Sequence, residues 1–308
     1  MNDNNALPRK FHFLEVKPAN SIVLSIKNKA FQRKLNGTSA EIFINDNIRI
    51  FGKGVLEYGI LSEYTVRFPE IVKALQNLEI PKRTDLVGEL IVIDPNTGFE
   101  SLPMILTRSQ RSFATEQHIR FYPVIFVILD VVEVGGNDVR LLKYIDRLNA
   151  LKDAVKDWTK GDGKIIFIEN SSNLNWKIIE DNKLEGVAIR DLDATYGKGI
   201  WKLKREVTED VYCKGEYNPS DSMKGLFSSL ICYQLDKNGK EIYVTDVGGG
   251  FSYKEREGIQ KMLDSGVMKK FPLVLEIKTN GRMPSLKFIS PIFIRMRYDK
   301  SWDQCIIN

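Results

Sequence analysis

The run from Phe121 to Val134, FYPVIFVILDVVEV, is the most apolar stretch of the chain. It is too short to cross a bilayer as a helix, which takes about 20 residues, and it carries Asp130 in its middle. Its valines, isoleucines and aromatics make it a strand. No transmembrane span is expected elsewhere. Around it the pattern is α+β with many strands. SIVLSIK (21–27), AEIFI (40–44), IRIFG (48–52) and GELIVID (88–94) precede it. GKIIFIE (163–169), GVAIRD (186–191) and IWKLKRE (200–206) follow. PEIVKALQNL (69–78) and LLKYIDRLNALKDAVKDW (141–158) instead space their apolar residues as helices do. Asp138 is expected to cap the second of these, with Gly161 just past its end.

From about Glu206 the texture changes to short strands separated by Gly- and Asn-rich turns, as in a small antiparallel barrel of about a hundred residues. A domain boundary is therefore expected near Arg205 to Val207, and 308 residues suit one large domain or two ordinary ones. Three cysteines lie far apart, and His12 and His118 are the two histidines. This argues against a disulfide framework, a zinc site and a histidine-based triad, and it fits a reducing cytoplasm. The N-terminal MNDNNALPRK is polar and lacks the apolar core of a signal peptide. A net charge of +5 permits a polyanionic partner without requiring one.

Within QRKLNGTSAEIF (32–43), Asn36-Gly37 is a turn dipeptide, since both residues tolerate positive φ. Lys34 there is either a solvated hairpin lysine or a nucleophile held at a tight turn. Glu89 (VGELIVID) and Glu185 (LEGVAIRD) each sit beside a glycine on an apolar strand, where backbone or ligand can approach closely. Taken singly, each reads as an edge carboxylate facing water. Lys202 and Lys204, two apart, share one strand face. Together, and followed by Arg295, Arg297 and Lys300, these residues have a chemical logic. A lysine that attacks the α-phosphate of a nucleotide must lose its proton, and nearby cations disfavour its ammonium. Glu89 and Glu185 would hold Mg²⁺, a hard cation that takes oxygen ligands. The basic tail would orient the leaving pyrophosphate.

In order and spacing these segments resemble the covalent nucleotidyltransferases, and specifically the ATP-dependent DNA ligases, over about residues 30 to 300. KLNG resembles the K-x-D-G nucleophile motif, and VGELIVID the D-G-E strand. DVRLLKYIDRLNAL resembles the helix after an aromatic–Asp strand, and EGVAIRDLDATYGKGIWKLK the paired E-G-V and K-x-K motifs. DVGGGFSYKER and SPIFIRMRYDK resemble the oligonucleotide-binding barrel and its final basic motif. The resemblance implies an α+β fold: a nucleotidyltransferase (adenylation) domain with antiparallel sheets over 1–205, then an OB-fold barrel over 206–308. It implies that Lys34 takes AMP from ATP, that Glu89 and Glu185 bind metal and nucleotide, and that Lys202 and Lys204 contact the α-phosphate. Arg295, Arg297 and Lys300 would act in the first step, when the barrel closes over ATP. Gln32 matches a position that reads the adenine edge.

Some positions depart from the family pattern. Asn36 replaces an aspartate and Ser39 an arginine. Lys53 stands where an arginine would give bidentate phosphate geometry. Leu129 replaces the aromatic that stacks on adenine, and Phe126 should face the other side of its strand. The function implied is sealing of 5′-phosphate/3′-hydroxyl nicks in duplex DNA, with ATP and Mg²⁺, or Mn²⁺ in its place. The protein would be a monomer without membrane contact, in the cytoplasm, or in a host's cytoplasm or nucleoid if viral or phage. About 33 residues precede Lys34, as in the minimal ligases of viruses, phages and some bacterial repair systems. An RNA or mixed RNA–DNA end-joining ligase, to which NGTS is similar, stays open as an alternative. So do an inactive nucleic-acid-binding relative and, less closely, a capping guanylyltransferase.

Overall fold

The computed structural model describes residues 14–19, 22–55, 61–182, 184–205, 207–283 and 285–307. The polar N-terminal stretch considered above lies outside them. The chain divides into two units, Met1–Arg205 and Glu206–Asn308.

The first unit is built on two sheets. The smaller contains β1 (Lys17–Pro18), β2 (Lys29–Arg33), β10 (Gly186–Asp191) and β11 (Ile200–Lys204), in the order β1-β11-β10-β2. The larger contains β3 (Thr38–Ile44), β4 (Ile48–Val55), β5 (Leu61–Glu63), β6 (Thr84–Val92), β7 (Val124–Val134) and β8 (Asn137–Asp138), in the order β5-β4-β3-β6-β7-β8. Its seventh strand, β9 (Ile165–Phe167), pairs in parallel with β7. Alternation along β7 sends Phe126 and Ile128 into the main core. There they meet Ile71 and Leu75 of α2 (Pro69–Asn77), Ile105 of α3 (Leu102–Ser109), and Leu148 and Leu151 of α5 (Tyr144–Ala154). Short α4 (Glu116–Phe121) leads into β7, and α6 (Trp176–Asp181) buries Ile179 against Val187 and Ile189 of β10.

One irregularity in β7 matters for everything nearby. The β6–β7 register passes from Gly88↔Ile128 to Val87↔Asp130, so Leu129 is the extra residue of a β-bulge. Bulges re-aim side chains. Here Ile128 and Val131 both stay in the main core, and Leu129 and Asp130 leave it together. Asp130 is then bound by two arginines from different elements. Arg147 of α5 makes a two-pronged contact, Nε to Oδ1 at 2.7 Å and Nη2 to Oδ2 at 2.8 Å. Arg190 of β10 donates its Nη2 to the same Oδ2. All three residues are buried. Arg147 also caps the carbonyls of Leu142 and Ala194. The cluster ties the larger sheet, a helix and the smaller sheet together.

The structure corrects several expectations. The stretch 21–27 is not a strand: Ile22–Ser25 forms one helical turn, α1, with Val23 buried. Adjacent apolar residues have no period to separate helix from strand. The helix expected over 141–158 is shorter, and Lys143, not Asp138, is its N-cap. Asp138 instead pairs in β8 and receives the Arg140 guanidinium. The helix ends because Val155 turns extended into the core, and a separate 3-10 turn follows at Trp158–Gly161, capped by Asp157.

In the second unit β12 (Val207–Cys213) pairs with β14 (Phe227–Leu235) on one side and β16 (Leu273–Thr279) on the other. β14 continues to β13 (Tyr217–Pro219) and β15 (Glu241–Val247), and β16 to β17 (Ile292–Met296). A parallel bridge between Gly249 and Ile292 joins the end of β15 to β17, so the path closes on itself. A helix, α7 (Tyr253–Asp264), lies among the strands, in a stretch to which the sequence reading assigned no element. Ser252 and Glu255 form its capping box, a signal present in the S-x-x-E spacing.

Removing Asp130 while keeping its partners strands two buried cations, a change that costs about 3–5 kcal/mol. Asp130→Ala is therefore expected to shift the urea-unfolding transition of the first unit by that amount. A shift below about 1 kcal/mol would show that Arg147 and Arg190 find other partners or water.

Candidate active site

Three strands of the smaller sheet set one wall of the site by register alone. Gln32 of β2, Ala188 of β10 and Lys202 of β11 are direct cross-strand neighbours, so their side chains stand side by side. The opposite wall comes from the larger sheet, where Ser39 of β3 sits across from Glu89 of β6. Leu129 joins it through the bulge. Between the walls lies a cavity of about 470 Å³ lined by Gln32, Lys34, Lys53, Glu89, Leu129 and Lys202, among others.

Lys34 follows β2 directly, and its backbone N–H donates to the Gly186 carbonyl at 2.9 Å. Its Nζ lies 2.8 Å from Glu185 Oε1. Lys204 Nζ lies 2.8 Å from that same oxygen. One carboxylate oxygen thus holds two ammonium groups. Gly186, next to this glutamate, has φ 149°, and a Cβ there would meet the Leu203 carbonyl oxygen of β11. Only glycine lets β10 start so close to β11 with Glu185 at its head. Gly37 is needed for a different reason from the one expected. Neither it nor Asn36 has positive φ. Gly37 instead packs flat against β6, where a Cβ would collide with the Leu90 carbonyl and the Glu89 side chain.

Burial pushes the Glu89 carboxyl up to about 7, with the Lys34 charge pulling it down and the Glu185 charge adding to the rise. Ser39 Oγ donates to Glu89 Oε2 at 3.3 Å. Burial lowers the Lys202 ammonium below its ordinary range, helped by the charges of Lys204 and Lys34. Four lysines face two glutamates, so the site is electropositive and suited to a polyphosphate. Gln32 is buried, and its Nε2 donates to the Tyr144 hydroxyl at 2.8 Å and to Asn170 Oδ1 at 2.7 Å. Arg190 also lines the cavity, and its Nε is buried without a hydrogen-bond partner among the described residues.

The first unit therefore brings together Gln32, Lys34, Lys53, Glu89, Leu129, Glu185, Lys202 and Lys204. Phe126 lies in the main core, on the other side of the sheet. Sequence reasoning missed Tyr144, Arg147, Asn170 and Arg190, and it treated Asp130 only as an interruption. An arginine ending the apolar strand GVAIRD was the available sign for Arg190; Asn170 offered none. In the second unit Arg297 pairs with Asp299 and Asp210, Lys300 with Asp210 at 2.7 Å, and Arg295 with Glu276 at 2.6 Å. Arg297 holds the Asp299 carboxyl down at about 2. Arg297 and Lys300 line a polar cavity of about 400 Å³ in that unit.

Among the described residues no group of three or more His, Cys, Asp or Glu is arranged to hold a metal. Two carboxylates, Glu89 and Glu185, are nevertheless a fitting donor set for Mg²⁺, which takes one or two carboxylates together with substrate phosphates. Among the described residues no helix is long and apolar enough to cross a membrane.

A lysine between two largely antiparallel sheets, among paired carboxylates and further lysines, defines a nucleotidyltransferase-type ligase domain. Residues 15–205 match the family described as ATP dependent DNA ligase domain, and the chain belongs to that family. It is similar to DNA ligase 1 of Methanosarcina mazei, at 24% identity over 92% of this chain and 54% of that one. The chain thus spans about half the length of that curated relative. Among solved structures it is similar to a Lig E DNA ligase, at 15% identity and TM-score 0.62, covering 94% of this chain and 100% of that one. The ligase domain of M. tuberculosis LigD is similar at 18% identity and TM-score 0.50, covering 96% and 98%. At these identities the structural likeness establishes the shared fold.

The raised Glu89 carboxyl has a consequence for stability. The unfolded chain loses this proton near 4.5 and the folded one near 7, so stability falls as pH rises between them and is flat above. Glu89→Gln removes that loss. In metal-free protein the variant is expected to gain stability progressively from pH 5 to pH 7, reaching about 3 kcal/mol by pH 8. Chemical denaturation at four pH values checks this, and a pH-independent difference would contradict the burial of the carboxyl.

Proposed function

We propose that this chain is an ATP-dependent DNA ligase that seals 5′-phosphate/3′-hydroxyl nicks in duplex DNA through a lysyl-AMP intermediate. The observation that carries the reading is the single Glu185 oxygen shared by Lys34 and Lys204, inside a domain of the ligase family. In the first step the Lys34 amine attacks the α-phosphorus of ATP. The Nζ–P bond forms, the bridging P–O bond breaks, and pyrophosphate leaves. Glu185 Oε1, 2.8 Å away, is the acceptor for the proton that Lys34 gives up. Lys204 and Lys202 stabilise charge on the α-phosphate. AMP then passes to the 5′-phosphate of a nick, and the 3′-hydroxyl displaces it as the strands join.

Glu89 and Glu185 would hold Mg²⁺, or Mn²⁺ in its place, which when bound neutralises phosphate charge. Leu129 and Ala188 offer apolar surfaces to the base in place of an aromatic stack. The first unit is read as the adenylation domain, 1–205. The second, 206–308, is read as an OB-fold barrel. That reading is supported by its five longer strands on an antiparallel path that a parallel bridge closes, with a helix between the third and fourth. Arg295, Arg297 and Lys300 are assigned to orienting pyrophosphate, on the resemblance of their segment. Three free, buried cysteines support a reducing compartment.

Incubation with ATP and magnesium is expected to add one AMP to the intact protein, and Lys34→Ala to abolish the adduct while the protein stays folded. An undiminished adduct in the variant would remove Lys34 from the reaction. A nick panel in DNA, RNA and hybrid duplexes then tests the substrate, and faster sealing of all-RNA nicks would replace the DNA assignment.

Arg297→Ala and Lys300→Ala are each expected to slow adenylylation by roughly tenfold or more while affecting sealing of a pre-adenylylated nick much less. Equal losses in the two assays would assign these residues to folding or general binding.

A further inference from the structure

The basic tail of the second unit is engaged by that unit's own carboxylates. Arg297 uses both edges of its guanidinium. Nε and Nη2 donate to Asp299 at 2.9 Å each, and Nη1 donates to the two oxygens of Asp210 at 3.2 Å. Lys300 Nζ lies 2.7 Å from Asp210 Oδ2, and Arg295 Nε lies 2.6 Å from Glu276 Oε2. Three cations thus meet three carboxylates, and the neighbouring Glu209 is taken by Arg282. A guanidinium with both edges engaged has no fork left for a phosphate.

The sheet places these carboxylates. Asp210 of β12 and Glu276 of β16 are direct cross-strand neighbours, and Arg295 of β17 is the next partner of Glu276. Two like charges side by side on one sheet face repel. Arg297 bridges them, its Nη1 3.2 Å from Asp210 and 3.9 Å from Glu276. Adjacent carboxylates gripped by an arginine and a lysine resemble a diphosphate in the same grip. The hold is also exchangeable. The side chains of Asp210, Arg297 and Lys300 are 15%, 20% and 25% exposed, so these groups reach solvent. The Arg297 backbone N–H donates to the Val274 carbonyl at 2.9 Å, so the chain is anchored and side chains alone need move. The polar cavity of about 400 Å³ beside them has room for an anion.

We infer that Asp210 and Glu276 are an internal stand-in for phosphate, holding Arg297 and Lys300 in the resting protein until a pyrophosphate group displaces them. The inference rests on the assignment of Arg297 and Lys300 to pyrophosphate above. A competing carboxylate weakens anion binding, so neutralising it tightens the grip on phosphate. A carboxylate that only aimed the two cations would act the other way.

The test uses the full chain and follows lysyl-AMP formation by intact mass, with ATP and added inorganic pyrophosphate varied. Asp210→Asn keeps the shape of the side chain. It is expected to lower the ATP concentration for half-maximal rate and the pyrophosphate concentration for half-inhibition, each by about threefold to fivefold. Glu276→Gln is expected to shift both the same way by about twofold, because its shorter contact is to Arg295. Adding Arg297→Ala and Lys300→Ala to Asp210→Asn should abolish the gain. Unchanged or raised concentrations in Asp210→Asn, or a gain that survives loss of Arg297 and Lys300, overturn the inference. The pyrophosphate assignment then still stands if Arg297→Ala itself slows adenylylation. If Arg297→Ala and Lys300→Ala leave adenylylation untouched, or wild type forms no lysyl-AMP, that assignment falls and the inference with it.

Discussion

Asp130 and its two arginines hold the first unit in the shape its chemistry needs. The carboxylate receives Arg147 from α5, Arg190 from β10 and the backbone N–H of Val131, so its lone pairs are taken up. Burying three charges is costly, and such a cluster adds little net stability over an apolar replacement of equal volume. Its contribution is geometric. Two sheets with apolar surfaces could slide or close on each other at many separations. Arg190 of the smaller sheet, fastened to a carboxylate of the larger one that Arg147 grips at both oxygens, narrows that choice. Arg190 then covers the Tyr144 ring, and Tyr144 holds Gln32. The position of the Gln32 amide is thus set from a carboxylate three side chains away.

The lysine side of the cavity is organised differently. Lys34 and Lys204 converge on one oxygen of Glu185, a half-buried carboxylate, and Lys202 stands beside them with its ammonium destabilised by burial and by its neighbours. Lys34 and Lys204 are thus held by a partner that an incoming phosphate could replace. A triphosphate supplies more negative oxygen than Glu185 does. On the proposed reading, its arrival would let the ion pairs exchange and free the amine when a target is within reach. The backbone supports this through close approach: Gly37 lies against β6 and Gly186 against β11, which brings the segments bearing Lys34 and Glu185 together.

Much of this was legible in the sequence, and the limits have physical causes. Strand alternation separates Phe126 from Leu129, and the two do part, one to the core and one to the cavity. Spacing puts Lys202 and Lys204 on one strand face, and glycines mark the two glutamates. Period alone, however, does not show a bulge, and the bulge at Leu129 turns Asp130 toward the arginines. Nor does composition reveal that Asn36-Gly37 serves close packing and not a left-handed turn. The partners of buried charges are fixed by tertiary contact between residues far apart in the chain, as with Asp130 and Arg190 or Arg297 and Asp210. The helix at Tyr253–Asp264 was signalled by its capping box, which the surrounding glycines obscured.

The departures from the family pattern now have a common consequence. Where an arginine is usual, this chain has Ser39, which is spent on Glu89, and Lys53, which is exposed at the rim of the cavity. Neither offers the planar fork that grips a phosphate at two oxygens. A lysine supplies charge without direction, because its ammonium can approach from any side. Direction must then come from the fixed group between the lysines, Glu185, which sets where Lys34 and Lys204 point. On the proposed reading, the α-phosphorus would be brought to Lys34 by geometry that the first unit itself contains.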